Sequence, residues 1–119
     1  MKILIVDSRE IVRLGLKKIL AEICTWAEVC ETANLSSAIE KVVAAKYDFL
    51  LIEAEIGGKG ELNNLIRLLL QETKVLVFTD KEHSDDETIL PLVNAGVEIV
   101  ISMKDTDLAN LKEILRKLF

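Results

Sequence analysis

The feature that most constrains this chain is a change of period that recurs along it. Short apolar runs rich in β-branched residues alternate with segments whose apolar residues return at helical spacing. Lys2–Val6, KILIV, is the first run. Val12, Leu16, Ile19, Leu20 and Ile23 then share one helical stripe, which predicts a helix with Ser8 at its N-cap. Trp26–Thr32 alternates and predicts a second strand. Ser37-Ala-Ile-Glu40 has the form of a capping box, opening a helix with Ile39, Val42 and Val43 on one face. Asp48–Ile52 predicts the third strand, Gly57, Gly58 and Gly60 break the chain, and Leu62, Leu65, Ile66 and Leu69 make the next stripe. Lys74–Phe78 is a fourth strand. Ser84-Asp-Asp-Glu87 repeats the capping-box form, Pro91 predicts a kink or a late start, and Gly96 a stop. Val97–Ile101 is the fifth strand, and Asp105 or Thr106 caps a last helix bearing Leu108, Leu111, Ile114, Leu115 and Leu118.

A strand followed by a helix thus recurs five times. Strands that read as unbroken apolar runs are buried on both faces, as in a parallel sheet covered by helices. Five units are too few to close an eight-stranded barrel. The expected fold class is α/β: an open, doubly wound parallel sheet of (βα)5 type, in three layers. In such sheets functional groups gather outside the carboxyl ends of the strands.

A length of 119 residues fits one domain, 1–119. The net charge of −5, with no dense Lys/Arg patch, argues against direct nucleic-acid binding by this domain. No apolar run approaches the roughly 20 residues that span a bilayer, and Asp7 comes too early for a signal peptide. The expectation is a cytoplasmic protein with no membrane contact. Cys24 and Cys30 lack metal-site spacing and read as reduced thiols. His83 reads as a solvated loop residue and Trp26 as a packing residue. Gly57-Gly58-Lys59-Gly60 lacks the spacing of a phosphate-binding loop, and no nucleophile motif is present, so no enzymatic activity is expected.

The strand ends carry the chemistry. They place Asp7 after strand one, Glu53 after strand three, Thr79 and Asp80 after strand four, and Ser102 with Lys104 after strand five. Carboxylates, a hydroxyl and an ammonium at one edge are the groups that hold a divalent cation and a phosphate. Polar residues also mark, more simply, where strands leave a core.

Residues 2–16, KILIVDSREIVRLGL, together with Glu53, Ile56, Gly58, Thr79 and Lys104, resemble a CheY-like receiver domain of two-component response regulators. The resemblance is to the type linked to LuxR/NarL-like DNA-binding domains, and it covers essentially the whole chain. It implies a flavodoxin-like sheet of strand order 2-1-3-4-5. It also implies phosphorelay signal transduction. In the family an acidic pair after strand one and an Asp ending strand three bind Mg2+. A histidine kinase phosphorylates that Asp. A Thr or Ser after strand four and a Lys after strand five contact the phosphoryl group. The resemblance further implies transcription control through an output domain not in this chain, with 1–119 as the N-terminal part of a longer regulator. Partners would be a histidine kinase or the output domain, and a second copy through the face of helix four, strand five and helix five. Leu90, Val93, Leu111 and Leu115 on that face fit either core or interface.

The chain departs from the family at the site. Ser8 stands for the second acid, Glu53 for the phosphoacceptor, Gly57 for the usual Pro, Gly60 for a frequent Asp and Asp80 for a small residue. Val100 and Ile101 stand where an aromatic switch residue is common. The spacing from Gly96 to Lys104 is slightly long, which leaves open whether Lys104 or a shifted register fills the Lys position. Glu is one methylene longer than Asp, and a misplacement of about 1 Å can cost about a hundredfold in rate. Mg2+ tolerates poor geometry badly, so the missing carboxylate at Ser8 weakens a metal site that keeps only Asp7 and Glu53.

The expectation is therefore an atypical, phosphorylation-independent receiver with no catalytic residue and no cofactor. Asp7 and Asp80 form its acidic pocket, Glu53 holds the acceptor position, and Thr79 and Lys104 hold the phosphoryl-contact positions. Glu53 reaching toward Thr79 and Lys104, in imitation of a phosphorylated Asp, is one form of it; a locked scaffold is another. A receiver that is still phosphorylated, and a small flavodoxin-like cofactor-binding protein, are the alternatives.

Overall fold

Ile3–Val6 and Phe49–Glu53 are buried without a break, and that places two strands in the middle of a sheet with both faces covered. The structure, a computed structural model, describes residues 1–57, 61–69, 72–80, 97–104 and 106–119. Its elements are β1 (Lys2–Val6), α1 (Glu10–Ile23), β2 (Glu28–Thr32), α2 (Leu35–Ala44), β3 (Phe49–Glu53), α3 (Glu61–Leu69), β4 (Lys74–Thr79), β5 (Ile99–Ser102) and a C-terminal helix, α4 (Leu108–Leu118). The strands form one five-stranded sheet of order β2-β1-β3-β4-β5, with every pairing parallel. This is the flavodoxin-like arrangement that the alternation and the resemblance imply.

Period-2 alternation divides the sheet's side chains between two layers. Leu4, Val6, Leu50, Ile52, Val75 and Val77 pack on Leu35 and Ala38 of α2 and on Leu62, Leu65 and Ile66 of α3. Ile3, Ile5, Leu51, Leu76, Phe78 and Ile101 pack on Leu16, Ile19 and Leu20 of α1 and on Leu111 and Leu115 of α4. Leu111 and Leu115 are thus core residues. Leu90 and Val93, like His83, the Ser84–Glu87 box, Pro91, Gly96 and Asp105, lie outside the described residues. Among the described residues no helix is long and apolar enough to cross a membrane.

The helix starts differ from the sequence reading, each for a local reason. Asn34, not Ser37, caps α2: its side chain accepts the N–H of Ser37 at 2.7 Å, so Ser37 lies within the first turn. Asp107 caps α4 by accepting the N–H of Asn110 at 2.8 Å, one residue beyond Thr106. Arg9, without a side-chain cap, stands at the N-cap of α1, because the Ser8 hydroxyl is engaged elsewhere. Trp26 is 62% exposed rather than packed. It lies in the turn closed by the Ala27 N–H on the Cys24 carbonyl, ahead of a β2 that begins only at Glu28.

Replacing Asn34 with Ala should destabilise the domain by about 1 kcal/mol. Ser37→Ala should stay within about 0.5 kcal/mol of the parent. Urea denaturation of both variants measures this, and the reverse ranking would restore the capping-box reading.

Candidate functional site

Register brings the strand ends level. Val6 pairs with Ile52, Glu53 with Phe78, and Thr79 with Ser102, so the residues that leave β1, β3, β4 and β5 meet at one edge. Polar groups here are deeply set: Asp7 is 1% exposed, Glu53 7%, and Thr79 and Ser102 are fully buried. Buried polar groups need partners, and tracing those partners defines the site.

Glu53 closes β3. Its Oε2 accepts the backbone N–H of Ser8 at 3.0 Å and the Ser8 hydroxyl at 2.9 Å. Among the described residues these are its only donors. Asp7 follows β1 and faces Arg9. The Arg9 Nε donates to Oδ1 of Asp7 at 3.1 Å, Nη2 donates to Oδ2 at 3.0 Å, and the Arg9 backbone N–H donates to Oδ1 at 2.8 Å. The same guanidinium extends from Nη1 to both oxygens of Asp80, each at 2.8 Å. Hydrogen bonds to Asp7 first, then to Asp80, hold the Arg9 pKa above its ordinary value against the opposing effect of burial. Arg13 adds a bond from Nη1 to the Asp7 carbonyl at 2.8 Å.

Glu55, two residues past Glu53, is the acid that meets the end of β4. Its Oε1 accepts the Thr79 hydroxyl at 2.7 Å and the Asp80 N–H at 3.3 Å. Lys104 lies two residues beyond β5 and is exposed, and no ion pair joins it to a described residue. The backbone beside it is anchored by the Met103 N–H on the Thr79 carbonyl at 2.8 Å.

So the structure brings Asp7 and Asp80 together through Arg9, brings Glu53 to Ser8, and brings Thr79 to Glu55. It leaves Lys104 on the surface. Arg9 and Glu55 are the residues that sequence reasoning missed. The sequence carries only a faint signal for them: Asp7-Ser-Arg-Glu10 sets a cation between two acids, and Glu55 alternates with Glu53.

The model of the family described as "Response regulator receiver domain" matches residues 3–116. The chain belongs to that family. Over 109 residues the receiver is 28% identical to YhcZ of Bacillus subtilis (strain 168), named as an uncharacterized transcriptional regulatory protein; the match covers 90% of this chain and 50% of that one. The chain thus spans about half the length of the curated relative it matches. It superposes with a TM-score of 0.81 on RcsB from Salmonella enterica serovar Typhimurium bound to promoter rprA in the presence of phosphomimetic BeF3−, at 19% identity over 99% of this chain and 98% of that one. A response regulator from Thermotoga maritima gives a TM-score of 0.77 at 26% identity, over 98% and 95% of the two chains.

The donors on these carboxylates bear on the Mg2+ that the resemblance implies. Both Asp7 oxygens are taken by the Arg9 fork and Oε2 of Glu53 by Ser8, where the family offers carboxylates. A guanidinium already lies between Asp7 and Asp80, and a divalent ion beside it would meet its full positive charge.

Proposed function

We propose that this domain is the receiver of a transcriptional response regulator whose state is set without aspartyl phosphorylation. Receiver domains are signalling modules, and the chemistry in question is whether this one accepts a phosphoryl group. The observation that carries the reading is the pair of hydrogen bonds from Ser8 to Glu53. The longer side chain at the acceptor position is folded onto the residue that replaces a metal ligand. Phosphoryl transfer depends on positioning and charge stabilisation, and both are altered here. The Thr79 hydroxyl, which in the family contacts the phosphoryl group, donates to Glu55.

The control of transcription is carried by an output domain beyond this receiver, in line with the regulatory name of YhcZ and the promoter-bound RcsB. The acidic net charge of −5 suits a domain that acts on proteins rather than on DNA. Its partners are that output domain and a histidine kinase or another protein input, in the cytoplasm. A homodimer through the β5 and α4 face would use residues other than Leu111 and Leu115, which are buried in the core.

Incubation of the folded protein with Mg2+ and a small acyl phosphate tests the reading by intact mass. The expected result is an unchanged mass. A gain of one phosphoryl group mapping to Glu53 would establish a phosphorylatable receiver instead.

A further inference from the structure

We infer that Arg9 is a resident cation of this cleft: its guanidinium takes the place beside Asp7 that a divalent ion holds in the family, and it ties the end of β1 to the residue after β4. The inference goes beyond the phosphorylation reading, because it concerns what neutralises Asp7 and not what Glu53 accepts.

The Asp7 side chain is 2% exposed, and a carboxylate that deep requires a counter-charge or a metal. Arg9 supplies the charge in the geometry best matched to a carboxylate, a fork with two parallel N–H donors on two oxygens. The fork starts two residues from its own acceptor, and the Arg9 backbone N–H bonds the same carboxylate, so little freedom is lost in forming it. Asp80 then holds the outer end of the guanidinium. At 48% exposure that contact is screened by water and is the weaker of the two. Its contribution is positional: it spans 71 residues of chain and fixes the side chain over Asp7. The backbone N–H of Asp80 is in turn held by Glu55. The loops after β1, β3 and β4 are therefore joined directly by protein groups.

The sequence substitutions fit this arrangement as a set. Ser8 removes an acid that a divalent ion would need, and Asp80 adds one on the far side, where it suits a long side chain. The acidic groups that remain are thereby arranged around Arg9, with Asp7 on one side of its guanidinium and Asp80 on the other.

Mn2+ is the probe, read in two ways: by broadening of the amide signals of Asp7, Ser8 and Glu53, and by the thermal midpoint. For the parent protein the inference expects no selective broadening and no rise in midpoint at millimolar Mn2+. Arg9→Ala should lower the midpoint and admit Mn2+ at least about tenfold more tightly, so that added Mn2+ recovers part of the lost midpoint by mass action. Arg9→Lys keeps the charge and should still exclude the ion. Should Arg9→Ala fail to fold, the parent and Arg9→Lys decide the matter.

Mn2+ that broadens Asp7 in the parent as strongly as in Arg9→Ala overturns the inference. A parent that binds Mn2+ yet gains no phosphoryl mass removes the resident cation and leaves the phosphorylation-independent reading standing. A parent that excludes Mn2+ yet gains that mass does the reverse.

Discussion

The triple variant Ser8→Asp, Arg9→Ala, Glu53→Asp should be labelled by a small acyl phosphate with Mg2+ at least about a hundredfold faster than the parent. Each change removes one obstacle seen in the cleft. Glu53→Asp shortens the acceptor by a methylene, which corrects a misplacement of the order that costs about a hundredfold. Ser8→Asp keeps the backbone N–H and replaces the hydroxyl donor with a second acid. Arg9→Ala clears the fork from both oxygens of Asp7. Glu53→Asp alone should recover only a small part of the rate, because Arg9 still faces the incoming metal and phosphate chemistry from Asp7. Intact mass against time, with the labelled residue mapped by peptide analysis, measures the effect. A triple variant that keeps the parent's circular dichroism and remains unlabelled would show that these residues are not what blocks transfer.

The layers of the fold were legible because two periods are written in the same chain. The runs at Lys2–Val6, Asp48–Ile52 and Lys74–Phe78 are strands within a residue of their observed ends, since nothing competes with burial on both faces. Helix starts were less legible. Ser8, Ser37 and Thr106 are all sound capping residues in isolation, and the winners, Asn34 and Asp107, are equally sound. Only the position of the first turn over the sheet chooses among them. Trp26 misled because its size suggests burial, whereas a turn of the chain places it outward.

At the site, acids at strand ends could be read from spacing, but their pairing could not. Spacing shows that Asp7, Glu53 and Asp80 reach one edge. It does not show that a guanidinium two residues from Asp7 curls back and links two of the three. An Arg at the opening of a helix reads as solvated surface. Only the depth of Asp7 and the reach of Asp80 make it part of the cleft. In the same way Glu55 reads as loop polarity until the Thr79 hydroxyl is seen to point at it.

Leu51→Ala should lower stability by about 3–4 kcal/mol, in the middle of the range of about 2–5 kcal/mol for buried leucine truncation. Leu51 stands in a row across the sheet, paired with Ile5 on β1 and Leu76 on β4, and the three are 0%, 1% and 0% exposed in strand order. Both neighbours in the row are fixed by ladder hydrogen bonds, so the gap left by three lost carbon atoms has little room to collapse. Against a total of about 5–15 kcal/mol the loss is a large fraction, and the thermal midpoint should fall by about 10–15 °C. Val43→Ala is the contrast. That side chain is 82% exposed on α2, and its removal should change stability by less than about 0.5 kcal/mol. Urea denaturation reads both, with the midpoint moving and the slope held if the unfolded ensembles are alike. Glu53 lies two residues along β3 from Leu51, on the same side of the sheet, so this row is also the floor beneath the acceptor position. A loss under about 1 kcal/mol for Leu51→Ala would mean a floor that collapses to fill the gap beneath Glu53.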